Sequence, residues 1–194
     1  MHVIASSTAV WYAARAGGIV AYVLVSASVL AGIALAGKQR VPGFPRFAVE
    51  DVHRFVGVLA GTFIALHIFW LAIDSQSHLT TKSIVIPFIS SYRPLWTGLG
   101  IVAAELLLAL AVTNHYRKRL RYSTWRRLHY LNFAVWGAAT LHGLGAGTDS
   151  GSTVFLLMYA TTVGVVGVLA LKRFAPRPPV ASPSTPPVES AGNR

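Results

Sequence analysis

The chain has no cysteine and few acidic side chains. Asp and Glu supply 6 of its 194 residues, Lys and Arg supply 17, and cysteine is absent. The absence of cysteine excludes disulfides, thiolate-bound iron–sulfur clusters, a cysteine nucleophile and covalent haem attachment through a CxxCH motif. A haem, if the protein binds one, would therefore be held by non-covalent contacts.

Charged residues of both signs are scarce as well. They make up 12% of the chain, hydrophobic residues make up 54%, and the mean hydropathy is +0.55. This composition is typical of a small integral membrane protein. The net charge of +11 comes from basic residues in short stretches between apolar runs, where they set membrane orientation, so we expect no nucleic-acid binding.

The apolar runs predict an all-α integral membrane bundle of about five transmembrane helices, multi-pass in the lipid bilayer of the cell membrane. The first run is too long for a signal-peptide core and is interpreted as a retained span. Between the second and third spans the apolar run 83–90 contains Pro87 and is too short to cross, which favours an interfacial loop or a short re-entrant turn. Residues 1–174 form the predicted membrane domain, and 175–194 a disordered Pro-rich cytoplasmic tail. The predicted spans are 11–36, 53–73, 95–112, 125–149 and 153–171.

Two of these spans carry a pair of histidines each. His53 and His67 are fourteen residues apart in the second span, and His129 and His142 are thirteen apart in the fourth. At ~1.5 Å per residue each pair is separated by roughly 20 Å, which fits within a hydrocarbon core of about 30 Å. Imidazoles are costly in hydrocarbon unless their nitrogens are occupied, so all four are candidate functional residues.

The basic residues predict which side of the membrane each loop occupies. Fourteen of the 17 Lys and Arg residues fall on one side of the predicted bundle, which places the N-terminus outside and the C-terminus in the cytoplasm. Both histidine-bearing spans then run outward. His53 and His129 would share the cytoplasmic level, and His67 and His142 the external level.

Two imidazoles that face each other at one level could bind a zinc ion, form part of a proton relay or bind a haem. Zinc prefers four ligands and usually recruits carboxylate or thiolate, whereas each level offers two histidines. A haem needs two axial nitrogens and an apolar slot, although the small and aromatic residues between the histidines are also explained by ordinary helix packing. Thirteen residues leave His142 about 140° from the face of His129, so the fourth span must bend or approach its two sites differently. The candidate lining residues are Gly57, Ala60, Gly61, Phe63, Ala65, Phe133, Trp136, Gly137, Ala138 and Ala139.

Four motifs resemble the ferric reductase-like transmembrane domain family, which includes ferric-chelate reductases, NADPH oxidases and the haem-bearing membrane subunit of the bacterial periplasmic methionine sulfoxide reductase system. They are RAGGIVAYVL, VHRFVGVLAGTFIALH, PFISSYRPLW and WRRLHYLNFAVWGAATLHGLGAGTD, within residues 11–172. The resemblance implies two stacked b-type haems, with His53, His67, His129 and His142 as the ligands of the iron atoms.

Haem propionates need cationic or hydrogen-bonding partners when they are buried. Arg54, Arg126 and Arg127 lie at the predicted cytoplasmic level, and Arg15 and Arg93 at the external level. We expect a subset of these cofactor-binding candidates to pair with propionates. The alternative is that they only orient the chain in the membrane, and that the long side chain of Arg15 extends until its charge reaches the membrane interface.

Three other histidines and one carboxyl are weaker candidates. His2, His78 and His115 are expected to be solvated. Glu105 lies near the middle of the third span, where a charge is costly, and is interpreted either as a proton-handling group or as a protonated carboxyl bonded to a neighbouring helix.

The sequence predicts an electron-transfer membrane subunit without its own nicotinamide or flavin domain. Larger members of the family append such a domain, whereas here GLGAGTD lacks the strand and helix context of a phosphate loop. We expect electrons to come from a separate cytoplasmic flavin reductase or a membrane quinol and to pass to a periplasmic or extracellular acceptor. The alternative is a non-redox transporter or structural subunit whose histidines make interhelical hydrogen bonds.

Overall fold

The computed structural model describes residues 7–37, 42–74, 77 and 79–175, and the described chain is helical without strands. The predicted all-α class is confirmed. Lys38 and Arg40 of the first loop, His2, His78 and residues 176–194 of the predicted tail lie outside the described residues. The helices are α1 (Ser7–Ala36), α2 (Arg46–Ile73), α3 (Thr81–Val85), α4 (Pro94–His115), a 3₁₀ turn (Arg117–Arg119), α5 (Tyr122–His129), α6 (Asn132–Ala146) and α7 (Thr153–Phe174).

Among the described residues, four helices, α1, α2, α4 and α7, are long and apolar enough to cross a membrane. The shortest have 22 residues, about 33 Å of rise, which matches the hydrocarbon core. The predicted fourth span forms α5 and α6 instead of one continuous helix. The chain is therefore a multi-pass membrane protein with four continuous candidate spans in its described part, and the predicted fourth span is present as two shorter helices.

The break in the fourth span falls directly after His129. The Leu131 N–H donates to the Leu128 carbonyl at 2.9 Å and the Phe133 N–H to that of Tyr130 at 3.1 Å, so this turn is closed by hydrogen bonds of the 3₁₀ type. Each 3₁₀ residue rotates the chain by about 120°, against about 100° in an α-helix. The extra rotation, about 20° per residue, has the sense that the thirteen-residue histidine spacing requires and supplies part of the rotation of about 140°. The fourth span is accordingly interrupted between α5 and α6 and is not one straight helix.

The helices pack in two layers around α1 and α4. α1 lies along α2 and also contacts α6 and α7, while α4 lies along α6. Polar side chains join α1 to α6 and α7: the Trp136 indole N–H donates to the Ser26 hydroxyl at 3.0 Å, and the Tyr22 and Thr162 hydroxyls are 2.7 Å apart. Val29, Ile33 and Val166 form one buried cluster, and Ala103, Leu110 and Val135 form the other.

Two boundaries bear on the sequence predictions. α2 begins at Arg46, well before the predicted start at His53. Pro45 occupies the position directly before the helix, and no residue from Arg46 to His53 interrupts it. α3 has five residues and is capped by Thr80, whose side chain accepts from the Ser83 N–H. A helix of five residues is too short to cross the bilayer. This agrees with the prediction that the apolar run 83–90 does not form a span.

Candidate functional site

The four candidate histidines form two facing pairs. His53 on α2 faces His129 at the end of α5, with ring centroids 6.1 Å apart and planes at 73°. His67, further along α2, faces His142 on α6 with centroids 6.4 Å apart and planes at 74°. The structure therefore brings together the same pairs that the parallel direction of the two histidine-bearing spans predicts.

The centroid distances discriminate between kinds of metal centre. A metal–nitrogen bond of about 2.0 Å puts an imidazole centroid about 3.2 Å from a metal bound through Nε2. Two rings on opposite sides of one metal then have centroids about 6.3 Å apart, whereas two ligands of a tetrahedral ion have them about 5.2 Å apart. The observed 6.1 and 6.4 Å are nearer to the spacing of two opposed ligands, which is the spacing that a haem iron would require of two histidines.

A metal held by protein ligands alone does not fit this site. Within the described part of the chain, no group of three or more His, Cys, Asp or Glu side chains is placed to hold a metal ion. A porphyrin supplies four equatorial nitrogens itself and needs only two from the protein. The paired histidines fit that requirement at both levels.

Three of the four rings are oriented by backbone carbonyls of neighbouring helices. The Nδ1 of His67 lies 2.6 Å from the Ala14 carbonyl oxygen, and that of His53 lies 2.9 Å from the Ser28 carbonyl, both on α1. On α4, the Trp96 carbonyl lies 2.9 Å from the Nδ1 of His142. An Nδ1–H that donates to a carbonyl leaves the lone pair on Nε2, which is the arrangement of a metal-ligating histidine.

His129 has different surroundings. Its Nδ1 lies 3.5 Å from the amide nitrogen of Asn132, and that amide donates to the His129 carbonyl at 2.8 Å. Trp125, one turn earlier, stacks on the imidazole with centroids 5.1 Å apart and planes at 25°. This ring is thus positioned by side chains of its own span.

The helix contacts support in part the prediction of an apolar slot for a haem between the histidine-bearing helices α2 and α6. α2 packs on α1 and α6 packs on α4, whereas the backbones of α2 and α6 are not closely packed along each other. A Cβ added at Gly61 or Gly137 would meet no atom within 4 Å, so both glycines border open space. Other predicted lining residues pack elsewhere: Phe133 and Trp136 contact the α1–α7 cluster, and Ala138 contacts the α4–α6 cluster.

Arg15 and Arg93 lie near the His67/His142 level and both have protein partners. Arg15 forms an ion pair with Asp149, in the α6–α7 connection, and its guanidinium lies 4.9 Å from the Trp11 ring centroid. Arg93 donates to the Gly145 carbonyl at 2.6 Å. Sequence reasoning missed Asp149, although it is the only acidic residue between Glu105 and the C-terminal tail.

The three arginines at the other level are exposed. Arg54 pairs with Glu50 at 2.7 Å on the surface of α2, and Arg126 donates to the Tyr130 hydroxyl at 3.1 Å. Arg127 is exposed as well. Their role toward a propionate stays a prediction.

His115 and Glu105 lie away from the paired rings. His115 is exposed at the end of α4, where it contacts Tyr116 edge to face. Glu105 is exposed midway along α4, and among the described residues no ion pair or hydrogen bond reaches it. The interpretation of Glu105 as a carboxyl bonded to a neighbouring helix therefore finds no partner within the described chain.

The fold and the site together define a class: a multi-pass helical membrane protein with two stacked pairs of facing intramembrane histidines. The chain belongs to the ferric reductase-like transmembrane component family, whose model matches residues 17–140, well over half of the sequence. The match includes three of the four histidines, and the structure places the fourth, His142, opposite His67. No solved structure matches the chain.

Proposed function

We propose that this protein carries electrons across the membrane through two b-type haems, each bound by one histidine pair. Membership of the ferric reductase-like family supports transmembrane electron transfer in general. The observation that supports the finer proposal is the spacing of both facing pairs, at 6.1 and 6.4 Å between ring centroids.

The residues of the chain hold and orient the cofactor on this proposal. His53 and His129 bind at one level, and His67 and His142 at the other. A haem with both axial positions filled supplies an iron that exchanges single electrons and has no open site for oxygen or substrate. The carbonyl acceptors fix the rings of His53, His67 and His142, Trp125 and Asn132 position that of His129, and the surrounding apolar helices exclude water.

The direction of flow and the partners belong to the proposal as well. With the N-terminus outside, the His53/His129 level is cytoplasmic and receives electrons from a separate flavin reductase or a membrane quinol. The His67/His142 level then delivers them to a periplasmic or extracellular acceptor. Outward flow from a negative cytoplasm gains roughly 2.3 kcal/mol per electron for each 100 mV of membrane potential.

An optical spectrum of the purified protein tests this function against the non-redox alternative. We expect a Soret band and, after reduction with dithionite, the α band of a six-coordinate b-type haem. A transporter or structural subunit whose histidines only bond neighbouring helices would be colourless. A folded, colourless preparation from haem-supplied cells would refute the proposal.

The Arg15–Asp149 pair predicts opposite shifts of the midpoint potential at the His67/His142 level. Arg15 follows Ala14, whose carbonyl holds His67, so its charge acts close to that iron. Removing the positive charge in Arg15→Gln disfavours the added electron and lowers the potential, whereas Asp149→Asn raises it. A charge interaction of about 1 kcal/mol corresponds to about 40 mV for one electron.

Redox titration followed at the α band measures these shifts. The other haem, roughly 20 Å further along α2, should shift less in both variants. The matched control is Arg127→Gln, at the opposite end of the bundle, which should reverse this order. Equal shifts at both haems in the Arg15→Gln protein, or none, would count against the pairing of Arg15 with this level.

A further inference from the structure

Three residues contribute a carbonyl that contacts a histidine ring, and four residues after each of them the chain has a glycine. That glycine lies next to the same ring. A Cβ added to Gly18 would lie 3.0 Å from Nδ1 and Cε1 of His67, and one added to Gly32 would lie 3.3 Å from Cε1 of His53. At Gly100 the added Cβ would lie 2.5 Å from Nδ1 of His142. The carbonyl–glycine pairs are Ala14/Gly18, Ser28/Gly32 and Trp96/Gly100.

Helix geometry explains why the glycine stands four residues after the carbonyl. Every Cα–Cβ bond in an α-helix tilts toward the N-terminus, so the side chain of residue i+4 lies over the carbonyl of residue i. The helix N–H uses one lone pair of that oxygen, and the second is open to another donor. A glycine at i+4 leaves this second lone pair accessible to an imidazole N–H from the neighbouring helix.

The repeat along α1 matches the repeat along α2. Gly18 and Gly32 are fourteen residues apart, as are His53 and His67, and the two helices run in opposite directions. One carbonyl–glycine pair therefore serves each histidine of α2.

On α4 the repeat is broken. Fourteen residues after the Trp96/Gly100 pair lie Leu110 and Asn114, so a side chain replaces the glycine. The Leu110 carbonyl accepts from the Thr113 hydroxyl at 2.8 Å. The histidine at this level is His129, which lies on α5, on the other side of the break from α6. Its ring has no carbonyl acceptor on a neighbouring helix among the described residues.

We propose that the three carbonyl–glycine pairs are positioning elements that set the ring planes of His67, His142 and His53, and that His129 is the one ligand set by side chains. The proposal rests on the haem-binding function proposed above. At the His67/His142 level both rings are then held by a carbonyl of a neighbouring helix. At the His53/His129 level only the His53 ring is held in this way.

Single glycine-to-alanine substitutions test this with the low-spin ferric EPR spectrum, whose largest g value depends on the angle between the two ligand planes. Gly100→Ala should abolish the His67/His142 signal and lower the haem content from two to one per chain. Gly18→Ala should shift the same signal, and Gly32→Ala should shift only the signal of His53/His129. Signals are assigned with His67→Ala and His53→Ala.

Gly17→Ala is the matched control, since its added Cβ would meet only the backbone and Cβ of His67 at ordinary contact distances of 3.5 to 3.6 Å. It should leave both signals unchanged. An equal shift in the Gly17 and Gly18 variants, unchanged signals in all three test variants, or equal changes of both signals in any one of them would overturn the proposal. Gly18→Ala and Gly32→Ala decide the question if Gly100→Ala fails to fold.

A haem-independent readout separates this proposal from the proposed function. A haem-free wild-type protein would refute haem binding and leave ring positioning to be decided by ¹⁵N NMR of histidine-labelled protein in detergent. We expect Nδ1–H tautomers for His53, His67 and His142 and a different state for His129. The same tautomer in all four rings, or Nε2–H in the first three, would overturn the positioning proposal.

Discussion

Replacing His67 or His142 with alanine is expected to remove one haem and leave the other in place, and replacing His53 or His129 is expected to do the reverse. The two pairs share no ligand, and they lie roughly 20 Å apart along α2. A haem iron that loses one axial nitrogen in an apolar slot has no nearby substitute, since no third ligating side chain joins either pair in the described chain. Pyridine haemochrome analysis should give about one haem per chain for each variant, against two for the wild type.

His115→Ala is the control for this series. His115 is an exposed histidine at the end of α4 that contacts Tyr116, and its loss should leave both haems bound. The optical spectra add a second criterion, because each remaining haem should keep its six-coordinate α band. Loss of a haem from the His115 variant would contradict the ligand assignment, and loss of both haems from any single variant would contradict the independence of the two levels.

The pairing of the histidines was predictable because it depends on features that sequence carries directly. Apolar run length predicts the spans, the order of the spans predicts that two of them are parallel, and parallel spans bring residues at similar depths together. The mismatch between the fourteen- and thirteen-residue spacings also predicts that the fourth span bends or approaches its two sites differently, and the span is interrupted directly after His129.

The acceptors of the rings were not predictable from residue types. Ala14, Ser28 and Trp96 contribute backbone carbonyls, which every residue has. Only Ser28 also brings its side chain to the ring, with the hydroxyl 3.3 Å from Nδ1 of His53. The glycines did leave a signal: the spacing of Gly18 and Gly32 equals that of the two histidines on α2.

Two details of the packing could not be predicted from the sequence. Phe133 and Trp136 pack with the α1–α7 cluster, which agrees with the alternative of ordinary helix packing, but a span that is apolar on all sides does not indicate which face meets which helix. The pairing of Arg15 with Asp149 joins opposite ends of the chain, and only the folded bundle brings them together.

The 194-residue chain is expected to show no haem reduction by NADPH until a separate flavin reductase or a quinol is supplied. Its one glycine-rich stretch, GLGAGTD, lies at the C-terminal end of α6 and just after it, with no strand in the described residues. A phosphate-binding loop needs the opposite context, because the helix N-terminus must follow the glycines directly. Stopped-flow absorbance at the α band should therefore be flat with NADPH alone.

The same experiment distinguishes the two donors. A flavin reductase that docks on the exposed basic residues between α4 and α5 should reduce the haem more slowly as salt rises, because electrostatic steering is screened. Arg117→Glu combined with Arg121→Glu should slow that reduction by about tenfold or more, within the range that steering supplies. Reduction by a soluble quinol analogue should respond to neither change, since a neutral donor reaches the haem from the lipid. Rapid reduction by NADPH alone, in a preparation free of flavoprotein, would refute the proposal that these residues form only the membrane half of an electron-transfer system.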